Sequence, residues 1–296
     1  MHIQFLNGGL ANQTFQYIFA RFAENYLDDG EPWYLDDSFF YVNNVHNGYE
    51  LKKVFGIEAN LLSSYFDQDV WDYMIKNKKE NNLSIPQQLK DNGLELDMLT
   101  ESPNVFEMNP FDGLIYIVEC NKFYPQITKL PGNVYYHGYW INRKWFDYYR
   151  DLFLKELSFP EIFEKNNIEY AKEITGSNST CVHVRRGDYI KAGLALNPDV
   201  YKKNIRTILN IEPDMTLFVF SDDLNYCKTN ASDFGFDLPQ KVVYVEGNAG
   251  PNAYRDMQLM SMCRNMIISN SAFSYLAALL NPAIHISISM TSDREF

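Results

Sequence analysis

Cysteine is scarce in this sequence. The 296 residues include only four cysteines, Cys120, Cys181, Cys227 and Cys263, which are widely spaced and form no C-x-x-C pair. This spacing indicates neither a disulfide framework nor a zinc site built from paired cysteines. We expect reduced thiols packed in the core, with Cys181 in a buried strand and Cys263 in an amphipathic helix.

Segments that direct a protein to or through a membrane are also lacking. The chain begins Met-His-Ile-Gln-Phe-Leu, without the basic start and long apolar stretch of a signal peptide. No apolar run approaches the roughly 20 residues that span a bilayer. We expect a soluble, cytoplasmic protein that is at most peripheral to the inner membrane.

Positive charge is in short supply. The chain carries 38 acidic against 26 basic residues, a formal net charge of −12. This balance argues against nucleic acid as a partner, because such binding depends on Lys and Arg that neutralise phosphates. A local basic pocket in an acidic protein stays possible. With 46% hydrophobic residues, the chain can bury sizeable cores in two domains or one large one.

The second half of the chain alternates strands and helices with short connections. Apolar runs predict strands at Thr180–Val184, Leu217–Phe220, Val242–Val245 and Met266–Ser269. Amphipathic spacing predicts helices at Pro198–Ile208, from Leu224 onward, at Asn252–Arg264 and at Phe273–Leu280. This alternation predicts an α/β fold with a doubly wound parallel sheet.

The first half opens with a strand, a glycine turn and a helix. Ile3–Leu6 is the predicted strand, and Asn12 is a plausible N-cap of the helix. Adjacent glycines in such a turn leave helix-start amides facing the crevice above the sheet, although two glycines alone are a weak signal.

Further along, the first half is less regular. Ile115–Val118 and Val134–Tyr136 are the next predicted strands. A long amphipathic helix is expected from Trp145 to Leu157, followed by a domain boundary near Pro160. The predicted domains are therefore residues 1–160 and 161–296.

The most informative motif is His183-Val-Arg-Arg-Gly-Asp-Tyr189, directly after the predicted strand. Successive strand side chains point to opposite faces, so Arg185 and Arg186 cannot do the same job. One can reach the crevice, where a guanidinium suits a phosphate, while the other pairs with a carboxylate such as Asp188. A purely structural Arg–Asp pair is an equally good interpretation of this motif alone.

Two more strand ends are polar in a complementary way. Ser221-Asp222-Asp223 follows the second strand, and Ser269-Asn270-Ser271 leads from the last strand into a helix. The carboxyl ends of parallel strands share one edge, so an arginine, a carboxylate and a helix start converge there. Capping explains Asp222-Asp223 alone better, but the three together favour a nucleoside-diphosphate site, with a carboxylate for guanine.

Several blocks resemble the α-1,2-fucosyltransferases of glycosyltransferase family 11. In chain order they are Gly8-Gly-Leu-Ala-Asn-Gln-Thr-Phe-Gln-Tyr17, Tyr49-Glu-Leu, Gly138-Tyr-Trp with Lys144-Trp-Phe146, His183 to Tyr189, Phe220-Ser-Asp-Asp223, and Asp256 to Cys263 through Asn270 to Tyr275. They occur in family order over almost the whole chain.

The resemblance implies a GT-B architecture of two Rossmann-like lobes facing a cleft, with the acceptor on the N-terminal side and the donor in the C-terminal lobe. It further implies transfer of L-fucose from GDP-β-L-fucose to a galactose hydroxyl of an oligosaccharide or polysaccharide, in α-1,2 linkage, with inversion and with no cofactor or metal. We expect acceptor contacts in residues 61–111 and 135–149.

The resemblance also assigns roles to residues at matching positions. Arg185 would hold the β-phosphate, Asp222 would bind guanine, and His183 would shape the nucleotide pocket. Ser269, Asn270 and Ser271 would approach the phosphates, and Gly9, Asn12 and Gln13 would face the donor from the first domain. Asp188 is the candidate catalytic carboxylate, unless an arginine pair consumes it.

The chain departs from the family pattern at a few positions. Ala11 replaces a glycine, so the backbone there must avoid positive φ, and Thr14 replaces a methionine. Ala272 and Tyr275-Leu276 stand where the family has threonine and two tryptophans. These changes bear on the choice of acceptor or sugar.

Three alternatives stay open. Asp67-Gln-Asp69 could clamp a metal in a metal-dependent transferase, although we expect this triplet in a surface loop. The chain could instead be a non-catalytic protein that binds glycans or nucleotides on a transferase scaffold. It could also use another GDP-deoxyhexose as donor.

Overall fold

A computed structural model describes residues 1–102 and 111–290 of the chain. It divides into two compact units, Met1–Ser158 and Phe159–Phe296. Each unit contains a five-stranded sheet in which every described strand pairs in parallel with its neighbours, so the predicted α/β class is confirmed. No helix among the described residues is long and apolar enough to cross a membrane.

The sheet of the first unit has the order β2-β1-β5-β3-β4. Its strands are β1 (His2–Phe5), β2 (Trp33–Asp36), β3 (Asp97–Ser102), β4 (Ile115–Glu119) and β5 (Val134–His137). Its helices are α1 (Leu10–Leu27), α2 (Phe39–Val42), α3 (Leu51–Phe55), α4 (Gln68–Glu80), α5 (Ile85–Asp91), α6 (Arg143–Tyr148) and α7 (Arg150–Glu156). The sequence predicted β1, β4 and β5 but missed β2 and β3.

The sheet of the second unit has the order β10-β9-β6-β7-β8. Its strands are β6 (Ser179–Val184), β7 (Thr216–Ser221), β8 (Lys241–Tyr244), β9 (Asn265–Ile268) and β10 (Ile286–Ser289). Its helices are α8 (Lys165–Thr175), α9 (Gly187–Lys191), α10 (Pro198–Ile211), α11 (Leu224–Thr229), α12 (Ala231–Phe234), α13 (Tyr254–Met260) and α14 (Ala272–Leu279).

The strand order of the second sheet reverses beside β6. From β6 the chain runs through β7 to β8 on one side, then crosses back to β9 and β10 on the other. The sheet is therefore doubly wound, and its order reverses between β6 and β9. Ligands of such sheets bind at the carboxyl ends of the strands at this reversal. His183 is the last residue but one of β6, and Ser269 follows β9.

Each unit has its own hydrophobic core. All six residues of β6 are buried, as expected for a strand covered on both faces. The core beside it takes side chains from α10 and from the strands on either side, including Tyr201, Ile205, Val219 and Ile267. Cys181, Cys227 and Cys263 are buried free thiols, and Cys120 is a half-buried one.

Three predicted helix boundaries were wrong. Gly9, not Asn12, is the N-cap of α1, because the helix already begins at Leu10. The long helix expected from Trp145 to Leu157 breaks at Tyr149, whose backbone leaves the helical region (φ −124°, ψ 45°). The helix expected at Asn252–Arg264 is the shorter α13, which leaves Cys263 beyond its end.

A buried carboxylate organises the turn after β5. Glu101 in β3 accepts hydrogen bonds from the backbone N–H groups of Asn121 (3.0 Å), Tyr139 (2.7 Å) and Trp140 (2.9 Å). Trp140 has a left-handed backbone (φ 55°), which is uncommon for a bulky residue. A Cβ on Gly138 would lie 2.8 Å from Glu101 Cγ. The Gly138-Tyr-Trp block therefore has a structural role around Glu101.

Replacing Glu101 by alanine should lower the free energy of unfolding by roughly 2–4 kcal/mol, because it leaves buried backbone donors without an acceptor. Urea unfolding followed by circular dichroism measures the change. Glu119→Ala is the matched control, since Glu119 is an exposed carboxylate at the end of the neighbouring strand. Equal losses in the two variants would contradict the role given to Glu101.

Candidate active site

Arg185 lies just past the carboxyl end of β6, and its side chain is 30% exposed. One guanidinium nitrogen is 2.9 Å from Asp188 Oδ1, and the other is 3.1 Å from Asp222 Oδ2. The guanidinium also lies over the Tyr189 ring, 5.7 Å from its centroid. Arg185 is therefore a half-exposed cation held in a fixed orientation by two carboxylates.

Arg186 has a different role from its neighbour, as the strand geometry predicted. Its guanidinium carbon lies 3.2 Å from the centroid of the Tyr226 ring, and its Nε donates to Asp223 Oδ2 at 3.2 Å. These contacts tie the loop after β6 to the start of α11. Arg186 is thus the structural arginine, but it pairs with Asp223, whereas the expected partner, Asp188, pairs with Arg185.

The two aspartates after β7 also make different contacts. Asp223 caps α11 by accepting from the Tyr226 N–H at 3.2 Å, which confirms the capping interpretation for this residue. Asp222 accepts from the Arg186 N–H at 2.8 Å and pairs with Arg185. A Cβ on Gly187 would lie 2.7 Å from Asp222 Oδ2. The reason for glycine at this position is this close approach and not the backbone conformation, because the φ of Gly187 is not positive.

His183 is a buried, neutral side chain at the end of β6. Its Nδ1 lies 3.1 Å from Ser269 Oγ. Burial, and secondarily the charge of Arg185, lower the pKa of His183 to about 3. The ring of half-buried Phe273 lies 5.6 Å from that of His183. The sequence gave Phe273 no role, although it lies within the third family block.

The hydroxyl groups of the segment after β9 form hydrogen bonds with other groups of the protein. Buried Ser269 contacts Ser274 Oγ at 3.0 Å and accepts from the Ser271 N–H at 3.2 Å, in addition to its contact with His183. Ser271 caps α14 by accepting from the Phe273 N–H at 3.2 Å. Asn270 donates to the Leu194 carbonyl at 2.7 Å. The structure therefore brings the segment together with His183 and shows how each side chain is positioned.

The sequence had indicated no role for one further aspartate of this unit. Asp256, in the first turn of α13, accepts from Asn248 Nδ2 at 2.8 Å. Asn248 and Asn167 exchange two amide hydrogen bonds of 2.8 and 2.9 Å, which fix the loop after β8. Burial raises the pKa of Asp256 to about 7, and the Asn248 hydrogen bond opposes the shift. Its place at the head of the third family block was the available signal.

The opening turn, with Gly9, Asn12 and Gln13, belongs to the first unit. Buried Gln13 donates to the carbonyls of Gly8 and Gly48, both at 2.9 Å, and accepts from the Glu50 N–H at 2.9 Å. These three bonds use both hydrogens and the oxygen of its amide. Gln13 therefore links the first two family blocks to each other.

The sequence led us to expect that the amides at the start of α1 face the crevice above the sheet. One of them, the Leu10 N–H, lies near the carboxyl of Glu50, where it opposes the rise in the pKa of Glu50 that burial causes. The N-cap, Gly9, has no side chain to cap the helix. Gly8 has a positive φ of 76°, and a Cβ there would lie 2.5 Å from Asn12 Nδ2. Ala11 lies inside α1 and avoids positive φ, as required.

The described residues contain no cluster of three or more His, Cys, Asp or Glu side chains arranged to hold a metal ion. We expected Asp67-Gln-Asp69 in a surface loop. The triplet instead begins α4, with Asp67 as N-cap and Asp69 in the first turn. Part of the segment expected to contact the acceptor, residues 103–110, lies outside the described residues.

The family model named Glycosyl transferase family 11 matches residues 118–296, more than half of the chain and all of the second unit. The chain belongs to glycosyltransferase family 11. It is 28% identical over 295 residues to the O-antigen biosynthesis glycosyltransferase WbnK of Escherichia coli, covering 93% of this chain and 89% of that protein. It is also 28% identical to an alpha-1,2-colitosyltransferase of Escherichia coli, with 93% and 86% covered.

A solved structure supports the fold. A point mutant of Arabidopsis thaliana FUT1, determined in complex with GDP, is similar with a TM-score of 0.50 and 13% identity, over 99% of this chain and 71% of that chain. Two α/β units, each with a parallel five-stranded sheet, make this a GT-B type glycosyltransferase fold. The fold class predicted from the sequence is confirmed.

The buried carboxyl of Asp256 should make stability depend on pH. A carboxyl whose pKa is higher in the folded protein binds its proton more tightly there, so the free energy of unfolding falls as pH rises from about 4 to about 7. Asp256→Asn removes this titration while keeping an oxygen for Asn248. Relative to the parent, the variant should gain stability between pH 5 and pH 8, as measured by urea unfolding.

Asp233→Asn is the control for this comparison, because Asp233 is exposed. Its stability should follow that of the parent at both pH values. A constant difference between Asp256→Asn and the parent at pH 5 and pH 8 would contradict the buried titration.

Proposed function

We propose that this glycosyltransferase moves L-fucose from GDP-β-L-fucose to a galactose hydroxyl of a glycan, in α-1,2 linkage and with inversion. The observation that carries the proposal is Arg185, a half-exposed guanidinium at the carboxyl end of β6, beside the point where the strand order reverses. Such a group binds a diphosphate with charge-assisted hydrogen bonds. The GDP complex of the similar FUT1 structure supports a guanine nucleotide as ligand.

We propose that Arg185 takes part in the chemical step. The acceptor hydroxyl attacks the anomeric carbon and releases its proton to solvent, as the bond from that carbon to the β-phosphate oxygen breaks and the negative charge on the departing diphosphate grows. A guanidinium already fixed in place stabilises this charge most in the transition state. Asp188 and Asp222 hold the guanidinium in that orientation, and we propose them as positioning residues.

The nucleotide contacts of the remaining residues are part of the same proposal. Neutral His183 and the Ser269–Ser271 segment would line the nucleotide, with the N–H groups at the start of α14 turned towards phosphate. To bind guanine as well, the oxygens of Asp222, which already contact the Arg186 N–H and Arg185, would each have to accept a second hydrogen bond. Gly9 and Asn12 of the opening turn are proposed donor contacts, while the amide of Gln13 is already used.

A second donor has specific support. The relative named an alpha-1,2-colitosyltransferase is similar along 93% of this chain, and colitose is also a deoxyhexose. The WbnK relative is named for O-antigen biosynthesis, which supports a role in the assembly of a surface polysaccharide, and we propose that this assembly takes place in the cytoplasm. GDP-colitose is therefore the alternative donor for the same site.

A donor screen tests the function directly. The enzyme is incubated with lactose or N-acetyllactosamine and with GDP-fucose or GDP-colitose, and mass spectrometry identifies the added sugar. We expect fucose to be transferred, and to be transferred equally well in excess chelator, because no metal is part of the proposed mechanism. Loss of transfer in chelator would favour a metal-dependent enzyme. GDP binding with neither transfer nor donor hydrolysis would identify a non-catalytic protein.

Arg185→Ala should lower kcat by roughly a hundred- to a thousandfold, the usual loss when one such donor is removed. Circular dichroism and the melting temperature should remain those of a folded protein, because the side chain is partly exposed. Arg206→Ala, which removes an exposed arginine from α10, is the matched control and should keep parental kcat. Near-parental turnover by a folded Arg185→Ala protein would refute the assignment.

A further inference from the structure

The first unit contains a cavity of about 580 Å³ beside β2, the outermost strand in the order of its sheet. Its lining comes from α1, from β2, from residues 55–60 at the end of α3, and from residues 152–158. Cavities that bind small molecules in proteins span roughly 300–1,000 Å³, so this one has room for a ligand.

The cavity is separate from the opening turn. β1 and β2 are parallel, so α1, which connects them, runs from the carboxyl edge of the sheet back towards its amino edge. The first residue of α1 in the cavity is Tyr17, about 10 Å along the axis from the start of the helix at Leu10. A ligand in the cavity therefore lies away from Gly9 and Asn12, the proposed donor contacts of this unit.

The floor of the cavity is apolar. It is formed by four nearly buried residues, Trp33, Leu35, Phe55 and Ile57, each at most 8% exposed. The pairing of β2 with β1 fixes the first two in place. Such a floor offers an apolar surface that a ligand removes from water when it binds.

Polar side chains around the floor are held by an ion-pair network. The Tyr17 hydroxyl donates to Glu156 Oε2 at 2.7 Å, and a guanidinium nitrogen of Arg21 lies 2.6 Å from Glu156 Oε1. The same guanidinium also pairs with Glu24. These contacts join α1 to α7 and fix the groups before a ligand binds, which lowers the ordering cost of binding.

The charges around the cavity balance. Glu58 of the lining pairs with Lys52 at 2.9 Å, and Lys155 of the lining is exposed. Three cationic side chains and three carboxylates are therefore present, namely Arg21, Lys52 and Lys155 with Glu24, Glu58 and Glu156. With no net charge, the site favours neither an anion nor a cation.

The hydrogen-bonding groups of the lining include both donors and acceptors. The ammonium of Lys155 and the hydroxyl of Ser158 donate, and the carboxylate oxygens of Glu24 and Glu156 have further lone pairs that accept. A pyranose matches this combination, because its hydroxyl groups both donate and accept, while its ring has an apolar C–H face.

We propose that this cavity is a second carbohydrate site, which binds a pyranose unit of a neutral saccharide. The C–H face of the sugar packs on the apolar floor, and its hydroxyl groups form hydrogen bonds with Lys155 and with the carboxylate of Glu156. The site goes beyond the proposed function, since it needs neither the donor nor the transfer step.

A titration with lactose tests the site directly. Lactose is added to the whole protein without donor, and methyl resonances are followed by NMR. Those of Leu35, Ile57 and Leu152, which line the cavity, should shift and saturate with one common Kd, while that of Ile205 in the core of the second unit should not shift. The lack of a saturable shift at Ile57 and Leu152 would overturn the site.

Filling the cavity should remove the binding. Ala59 lines it and is half-buried, so Ala59→Trp places a large ring there and should raise the Kd for lactose, measured at Leu152, at least about tenfold. Ala283→Trp makes the same change at an exposed position of the second unit and should keep the parental Kd. A folded Ala59→Trp protein with the parental Kd would contradict the proposal.

A second variant covers the case in which Ala59→Trp does not fold. Lys155 is exposed, so Lys155→Met should fold normally, and the loss of its hydrogen bond to the sugar should raise the Kd severalfold. Lys203→Met removes an exposed lysine from α10 and is the matched control. An unchanged Kd in Lys155→Met would equally count against the site.

Charged probes check the class of ligand. We expect galacturonate, an anion, and spermidine, a cation, to bind more weakly than lactose in the same titration. Tighter binding of either one would overturn the neutral site. The proposed function fails by a different result, namely an enzyme that transfers sugar to neither acceptor of the donor screen.

Discussion

The second unit depends on placing a cation at the end of a buried strand without leaving its charge uncompensated. Arg185 follows six buried residues of β6, and the carboxylates of Asp188 and Asp222 hold it from two sides. Gly187 leaves room for Asp222, and Arg186 fixes the same loop through Asp223 and Tyr226. The short H-x-R-R-G-D-Y motif therefore combines a partly exposed guanidinium with the contacts that position it.

In the first unit, buried polar side chains hold separate segments of the chain in place. Glu50 places its carboxyl near the start of α1, Gln13 holds that segment against the opening turn, and Glu101 fixes the left-handed backbone of Trp140. These three residues lie within or beside separate family blocks. Gln13 thus joins the first two blocks by hydrogen bonds, and several residues in or beside the blocks shape the backbone.

The sequence was informative where local physics is decisive. Apolar runs predicted β6, β7, β8 and β9, and of these β6, β7 and β9 are almost fully buried, as strands covered on both faces are. The same patterns missed β2 and β3, whose apolar residues are interrupted by charged ones such as Asp36 and Glu101. They also missed the break at Tyr149, since a helical periodicity continues across a single non-helical residue.

By itself, the sequence determined the α/β class, the different roles of Arg185 and Arg186, and the convergence of three polar strand ends in one unit, because these follow from strand periodicity and parallel topology. Only the tertiary structure decided which carboxylate pairs with which arginine, and that Gln13 and Glu50 are already engaged. It alone brought Tyr17 and Arg21 against Glu156. Partners of this kind are far apart in the chain, and side-chain distances between distant segments are set by packing, which local patterns do not encode.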